Sequence, residues 1–223
     1  NILEKIIKYE AVHEIKSWKE LRERLDPADR RCFAFFHPVM EDEPLIFVEV
    51  ALMQSIPTKI TDVLNLDRNE IDPNIADTAV FYSISNCQRG LQGISFGNFL
   101  IKTVVQNLKI EFKNIKNFVT LSPLPNLKKW LSLHKKESLD TKLDSVTAPS
   151  EKFLQKILAQ YFLKSERNDK KPNDSVARFH LGNGASLHQI NINADLSPKG
   201  LSESFGVMVN YQYNLEDVEN NHE

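Results

Sequence analysis

Three glycines stand close together in a chain that has few of them. The sequence holds 7 glycines in 223 residues, and Gly90, Gly93 and Gly97 fall within one short run. The run follows an apolar stretch, Thr78 to Ser85, and precedes apolar residues at helical spacing, which predicts a strand, a turn and a helix start. Free backbone amides and the helix dipole favour an anion there, and glycine lets a ligand approach closely. The run therefore indicates a phosphate site, unless its glycines only solve a packing problem between the strand and the helix.

The glycine run does not match the two common nucleotide-binding motifs. It lacks the lysine and the Ser/Thr ending of a P-loop, and its glycine spacing differs from the G-x-G-x-x-G fingerprint. The prediction is therefore a cradle built mostly from backbone amides, as in folds that hold the pyrophosphate of coenzyme A.

Two polar side chains further along are candidates for a binding or catalytic site. Ser122, in LSPLP, can either cap a helix that begins near Pro125 or be presented to a ligand at the carboxyl edge of a sheet. His180, in RFHLGNGA, precedes two glycines that permit a sharp turn and close approach of a ligand. Histidine titrates near neutrality and can give or take a proton, although a lone histidine is more often a hydrogen-bonded structural residue.

Few other residues fit a catalytic or metal site. Tyr211 and Tyr213 alternate in a strand-like run, and the sheet alone would explain them. Cys32 and Cys87 make neither a disulfide framework nor a metal cluster. No grouping of His, Asp, Glu or Cys has metal-ligand spacing, so we expect no bound metal.

The composition is that of an ordinary globular chain. Hydrophobic residues make up 41% and charged residues 26% of the sequence, which allows a substantial core. A formal net charge of −2 and a pI near 6.4 give no reason to expect a nucleic-acid partner. No apolar run approaches the roughly 20 residues that span a bilayer, so no membrane association is expected. The sequence begins at Asn1, which suggests a piece of a longer protein whose targeting segments lie elsewhere.

The hydrophobic pattern predicts alternating strands and helices. Two strand-to-helix units with the glycine run between them favour a partly parallel sheet packed against helices. The predicted helices are 1–25, 57–64, 94–112, one beginning near 125, and 151–165. The predicted strands are 30–37, 43–53, 78–85 and 118–121, and flexible links are predicted near 135–150 and 165–175.

Several segments, in this order, resemble the catalytic domain of malonyl-CoA decarboxylases. The resemblance is carried by YEAVHEIKSWKELRERL, RRCFAFFHP, EPLIFVEVAL, FYSISNCQRGLQGISFGNFLIKTVV, LSPLPNLKKWL, RFHLGNGASLHQIN and GVMVNYQY. It covers nearly the whole chain, from about Tyr9 to Tyr213. Its most specific part is the ordered set LSPLP, FHLGNGA and MVNYQY.

The resemblance implies a mixed α/β fold of the GNAT-like kind, a twisted mixed sheet flanked by helices whose splayed strands admit the pantetheine arm. It implies one catalytic domain over 1–223, without the helical amino-terminal domain through which the family assembles oligomers. Ser122 and His180 would be the catalytic pair, with Tyr213 also in the site. The coenzyme would be bound by Gln92, Gly93, Ile94, Ser95, Phe96, Gly97 and Asn98.

The implied reaction is decarboxylation of malonyl-CoA to acetyl-CoA and CO2, with no cofactor beyond the coenzyme A of the substrate. An enolate would form and be protonated by His180. The alternatives are GNAT-type acyl transfer, decarboxylation of malonyl groups on a carrier protein, and acyl-CoA binding without catalysis. We expect the full-length protein to be a homo-oligomer in fatty acid metabolism, located in the cytoplasm, or in mitochondria or peroxisomes of a eukaryote.

Two segments depart from the family pattern. Some members carry a glutamate where this chain has Ser95, so a role of that carboxylate does not transfer to this sequence. The segment LHQININ lacks tryptophans that relatives often show, which changes the wall of the expected pocket.

Overall fold

The computed structural model of the protein describes residues 2–91, 97–134, 149–164 and 171–214. Its helices are α1 (Ile2–Tyr9), α2 (Trp18–Leu25), α3 (Thr61–Leu64), α4 (Gly97–Glu111), α5 (Leu127–Leu133), α6 (Glu151–Leu163), α7 (Ser175–Gly182) and α8 (Pro198–Ser204). Its strands are β1 (Arg30–His37), β2 (Met40–Met53), β3 (Thr78–Asn86), β4 (Asn117–Thr120), β5 (Ser122–Pro123), β6 (Ser186–Asn191) and β7 (Met208–Gln212). None of the described helices is long and apolar enough to cross a lipid bilayer.

The described strands form one mixed sheet of seven. Their order is β1-β2-β3-β4-β7-β5, and β6 also pairs with β7. Strands β3 and β4 run parallel, whereas every other pair is antiparallel. Parallel neighbours need a long crossover, and here the connection between β3 and β4 contains α4. The predicted mixed sheet with flanking helices is confirmed.

The two parallel strands part halfway along β3. Their pairing runs from Thr78 opposite Asn117 to Phe81 opposite Thr120, and the amide of Leu121 still donates to the carbonyl of Phe81 at 3.1 Å. Beyond this point β3 continues to Asn86, while the chain after β4 turns away to pair with β7. Next to this point the pairing of β2 with β3 shifts by one residue, so Tyr82 of β3 has no partner in β2. The sheet therefore opens at the carboxyl end of β4.

Alternation along the strands assigns the helices to two faces. Val48 and Phe81 belong to the large core that includes the buried side of α4, with Ile101, Val104 and Leu108. The neighbouring strand residue Phe47 packs instead with Ile6 of α1 and Leu21 of α2 in a separate cluster. Successive strand residues point to opposite faces, so α4 and the pair α1–α2 cover opposite sides of the sheet.

The predicted single helix over 1–25 is wrong, because a partly buried contact of Glu10 breaks it between Tyr9 and Trp18. The carboxylate of Glu10 accepts hydrogen bonds from the amides of Val12 and His13 and from the hydroxyl of Ser83. These bonds replace the helical ones and fix the connection to β3 of the sheet. The hydroxyl of Ser17 accepts from the Glu20 amide and caps the start of α2.

Other element boundaries shift by a few residues. The predicted helix 57–64 is reduced to α3, and β2 begins at Met40, opposite His37, because the hairpin between β1 and β2 is tight. Within the predicted helix 94–112, α4 runs from Gly97 to Glu111. Of the two predicted links, residues 135–148 and 165–170 lie outside the described residues.

Leu108 and Ile110 give a matched test of how α4 packs. The side chain of Leu108 is fully buried in the core, whereas that of Ile110 is 71% exposed. We expect Leu108→Ala to lower the free energy of unfolding by about 2–5 kcal/mol and Ile110→Ala to change it by less than about 0.5 kcal/mol. Urea unfolding followed by circular dichroism measures both, and equal losses would contradict the assigned face of α4.

Candidate active site

Ser122 lies where the parallel strands part. Its backbone pairs with Val209 of β7, and its side chain is buried. Pro123 follows it and restricts the local backbone. Helix α5 begins only at Leu127, with Asn126 at its N-cap position. The alternative in which Ser122 caps this helix is therefore wrong, and the serine is held within the sheet instead.

His180 lies in the last turn of α7. The carboxylate of Asp174 caps the start of this helix by accepting from the amides of Val176 and Ala177, both at 2.9 Å. The helix ends at Gly182, and Gly184 takes a positive φ of 84° just beyond it. The glycines thus place a sharp turn after the histidine, while His180 itself is helical and only 4% exposed.

The three predicted site residues meet in one hydrogen-bonded chain. The oxygen Oγ of Ser122 lies 3.1 Å from Nε2 of His180, and Nδ1 of the same ring lies 2.8 Å from the hydroxyl of Tyr213. Ser122 and Tyr213 are 5% and 3% exposed, so the chain is shielded from solvent. Residues 58 and 33 positions apart in sequence are thereby joined at both nitrogens of one imidazole.

Two aromatic rings fix the plane of the histidine. Tyr211 stacks on the His180 ring with centroids 4.8 Å apart, and Tyr213 meets the same ring edge-on at 6.0 Å. Tyr211 lies in β7 and Tyr213 just beyond its end, and residues two apart in an extended chain point to the same side. The same alternation that places the two tyrosines in the sheet pattern therefore also brings both rings against His180.

Burial determines the protonation states of His180 and Tyr213. It lowers the pKa of His180 to about 3, because the charged imidazolium would lose its hydration. It also raises the pKa of Tyr213 well above its ordinary value, with a smaller contribution from nearby Tyr211. Both groups are neutral at neutral pH, so they act on a ligand as hydrogen-bond donors and acceptors rather than as charges.

Thr120 is the member of the site that the sequence analysis missed. Its hydroxyl oxygen accepts from Oγ of Ser122 at 2.9 Å and from the amide of Tyr211 at 3.1 Å. The sequence did contain a signal for Thr120. Residues two apart in an extended chain lie on the same face, so the hydroxyls of Thr120 and Ser122 in the run TLS lie side by side.

Gly97, at the end of the glycine run, packs against α7. Residues 92–96 lie outside the described residues, so of the predicted coenzyme-binding set the structure gives only the start of α4, at Gly97 and Asn98. A β-carbon at Gly97 would lie 2.7 Å from Cε2 of Phe179 and from Cγ of Asn183, on and just after α7. The end of the predicted phosphate turn thus packs directly against the helix that carries His180.

A further cavity among the described residues lies away from the Ser122–His180–Tyr213 hydrogen bonds. A cavity of about 500 Å³ is lined by residues of the α1–α2 connection, α3 and the start of α8, and by none of Ser122, His180 and Tyr213. No group of three or more His, Cys, Asp or Glu residues suited to a metal ion occurs in the ranges that the structure describes.

Comparison with known proteins gives close matches over the whole sequence. The family model for the malonyl-CoA decarboxylase C-terminal domain matches residues 1–148 and 138–223. The mitochondrial malonyl-CoA decarboxylase of Anser anser anser is 36% identical over 259 residues, which cover 99% of this chain and 51% of the relative. The crystal structure of malonyl-CoA decarboxylase from Agrobacterium vitis is 52% identical with a TM-score of 0.89, covering 99% of this chain and 59% of that one.

A more distant structure supports the fold. The GNAT-like decarboxylase GphF in complex with isobutyryl-CoA has a TM-score of 0.64 at 17% identity, over 96% of this chain and 94% of that chain. The architecture is therefore GNAT-like. The chain spans about half the length of the curated relatives that it matches.

Gly97→Ala tests the contact between the glycine run and α7. The added methyl group would overlap Phe179 and Asn183, and we expect a loss of about 1–3 kcal/mol in the free energy of unfolding. Gly90→Ala is the matched control, because nothing lies within 4 Å of its β-carbon position. Thermal unfolding of both variants decides the point, and a Gly97→Ala protein as stable as the control would contradict the packing.

Proposed function

This chain belongs to the malonyl-CoA decarboxylase family, and from that premise we propose that it decarboxylates malonyl-CoA to acetyl-CoA and CO2. The observation that carries the proposal is the buried Ser122–His180–Tyr213 chain, which lies where β3 and β4 part. Relatives that cover almost all of this sequence carry the name of that activity.

The reaction needs a site that stabilises an enolate and then protonates carbon. When the bond from the α-carbon to the carboxylate breaks, its electron pair moves into the thioester and CO2 leaves. Hydrogen-bond donors directed at the thioester oxygen would lower the barrier by a few kcal/mol each. The thioester itself accepts the electrons, so the proposed reaction runs without a further cofactor.

We assign the hydrogen-bonding and proton-transfer steps to Ser122, His180 and Tyr213. When substrate binds, the Ser122 hydroxyl would turn its hydrogen from Thr120 to the malonyl carboxylate or the thioester oxygen and orient it. A neutral His180 would deliver a proton from its ring to the α-carbon, which then belongs to acetyl-CoA. Tyr213 lies at the other ring nitrogen, 2.8 Å away, and is the second donor because its hydroxyl can replace the proton that the ring gives up. Solvent finally restores the proton that the overall reaction consumes.

We also assign the coenzyme to the glycine run. Gln92 to Asn98 would hold the pyrophosphate through backbone amides at the positive end of α4, a helix of 15 residues. The contact of Gly97 with Phe179 and Asn183 places this end beside α7. The pantetheine arm would pass between the parted strands β3 and β4. Binding energy far from the reacting carbon would thus position the malonyl group beside Ser122 and His180.

Assembly as a homo-oligomer and location in the cytoplasm stay predictions from the sequence. The goose relative carries the word mitochondrial in its name, which keeps that compartment as an alternative for a eukaryotic protein.

His180→Ala and Ser122→Ala test the assignment directly. With malonyl-CoA as sole substrate, we expect CO2 release by the unaltered protein and a loss of about 10²–10⁴-fold in kcat in each variant, because each removes a group that acts on the substrate. Circular dichroism and analytical gel filtration would establish that the variants are folded. His188→Ala and Ser202→Ala are matched controls, since both residues are exposed, and they should keep full activity.

The outcomes of this assay separate the alternatives. Near-normal turnover in either site variant would remove that residue from the mechanism. Thermal stabilisation by malonyl-CoA without turnover would indicate an acyl-CoA-binding domain instead. A requirement for an amine acceptor would indicate acyl transfer, and much faster turnover of a malonylated carrier protein would indicate a carrier-bound substrate.

A further inference from the structure

The single hydrogen of the Ser122 hydroxyl is already committed. Its Oγ donates to Oγ1 of Thr120 at 2.9 Å. The same Oγ lies 3.1 Å from Nε2 of His180. A serine hydroxyl has one hydrogen and two lone pairs, so toward His180 the serine can only accept. The hydrogen in that contact must therefore be carried by Nε2 of the imidazole.

The hydrogen-bonding role of Nδ1 follows from that of Nε2. A neutral imidazole carries one hydrogen, so with Nε2 protonated its Nδ1 is an acceptor. The hydroxyl of Tyr213, 2.8 Å from Nδ1, is then the donor. The three hydrogen bonds therefore run in one direction, from Tyr213 through His180 and Ser122 to Thr120.

We infer that Thr120 is a positioning residue, whose hydroxyl oxygen takes the hydrogen of Ser122 and thereby keeps the hydrogen of His180 on Nε2. Without this acceptor, Ser122 could donate to Nε2, and the ring hydrogen would move to Nδ1, facing Tyr213. The catalytic consequence rests on the proposed function, because Nε2 is the atom on the Ser122 side that would protonate the substrate carbon.

Thr120 is held in place from two sides by β7. Its hydroxyl oxygen accepts from the amide of Tyr211 at 3.1 Å, and its carbonyl accepts from Nδ2 of Asn210 at 2.8 Å. Strands β4 and β7 share the single ladder pair Val119–Gln212, so these side-chain bonds stand in for the missing ladder. Thr120 and Asn210 are fully buried, which leaves solvent unable to replace either partner.

The tautomer of His180 is measurable without substrate. Two-bond ¹H–¹⁵N correlation spectra of the full chain, labelled with ¹⁵N-histidine, distinguish a hydrogen on Nε2 from one on Nδ1, and His180→Gln identifies the signal. We expect the Nε2–H form in the unaltered protein and a shift toward the Nδ1–H form in Thr120→Val. Thr120→Ser keeps the acceptor oxygen and should restore the Nε2–H form.

A purely structural role would give a different result. Thr78→Val makes the same chemical change at another fully buried threonine, whose hydroxyl bonds Asp77 and Asn117 away from the site. It should leave the His180 tautomer unchanged. A hydrogen on Nδ1 in the unaltered protein overturns the inference even if Thr120→Val does not fold. An unchanged tautomer in folded Thr120→Val overturns it equally.

Kinetics with malonyl-CoA extend the test to the reaction. We expect Thr120→Val to lower kcat at least 10-fold with KM changed less than about 3-fold, because proton delivery is impaired and binding is not. Thr120→Ser should recover most of the kcat. A tautomer shift in a protein that does not decarboxylate malonyl-CoA would sustain the positioning role and overturn the proposed function. A full kcat in Thr120→Val beside an active parent protein would overturn the positioning role alone.

Discussion

The buried chain from Tyr213 through His180 and Ser122 to Thr120 is the interaction on which the rest of the site depends. It joins α7 to β4, β5 and the end of β7, and its members are at most 5% exposed. A buried polar group without a partner costs about 1–3 kcal/mol, so each bond requires the others to be in place. The cap at Asp174, the close approach at Gly97 and the clamp by Asn210 all serve to hold these four side chains in register.

Burial also determines what kind of chemistry His180 and Tyr213 can perform. Desolvation keeps His180 and Tyr213 uncharged at neutral pH, so the site offers directed hydrogens rather than a fixed charge. An enolate is basic enough to take a proton from a neutral imidazole, and the tyrosine behind the ring can replace it. In the proposed mechanism, the thioester would lie at the opening of the sheet beside Ser122, and the glycine run would be the distant anchor.

Sequence reasoning recovered the parts of this arrangement that depend on local pattern. Strand-like apolar runs predicted β1, β2 and β3, and the motifs LSPLP and FHLGNGA singled out Ser122 and His180. The break between α1 and α2 could not be predicted, because it depends on the hydrogen bond that the Ser83 hydroxyl donates to Glu10 from 73 positions away. Thr120 was missed for a related reason. Its hydroxyl looks like any strand threonine until β7 brings Tyr211 and Asn210 against it.

The pH dependence of malonyl-CoA decarboxylation is the most direct test of a site built on a neutral, buried histidine. The quantity to measure is kcat/KM over the range in which the protein stays folded, since this ratio reports the pKa values of the free enzyme. With the pKa of His180 lowered to about 3, kcat/KM should show no fall with a midpoint near pH 6.5. A tenfold loss per pH unit below that midpoint would mean that His180 titrates like an exposed histidine, and it would contradict the account.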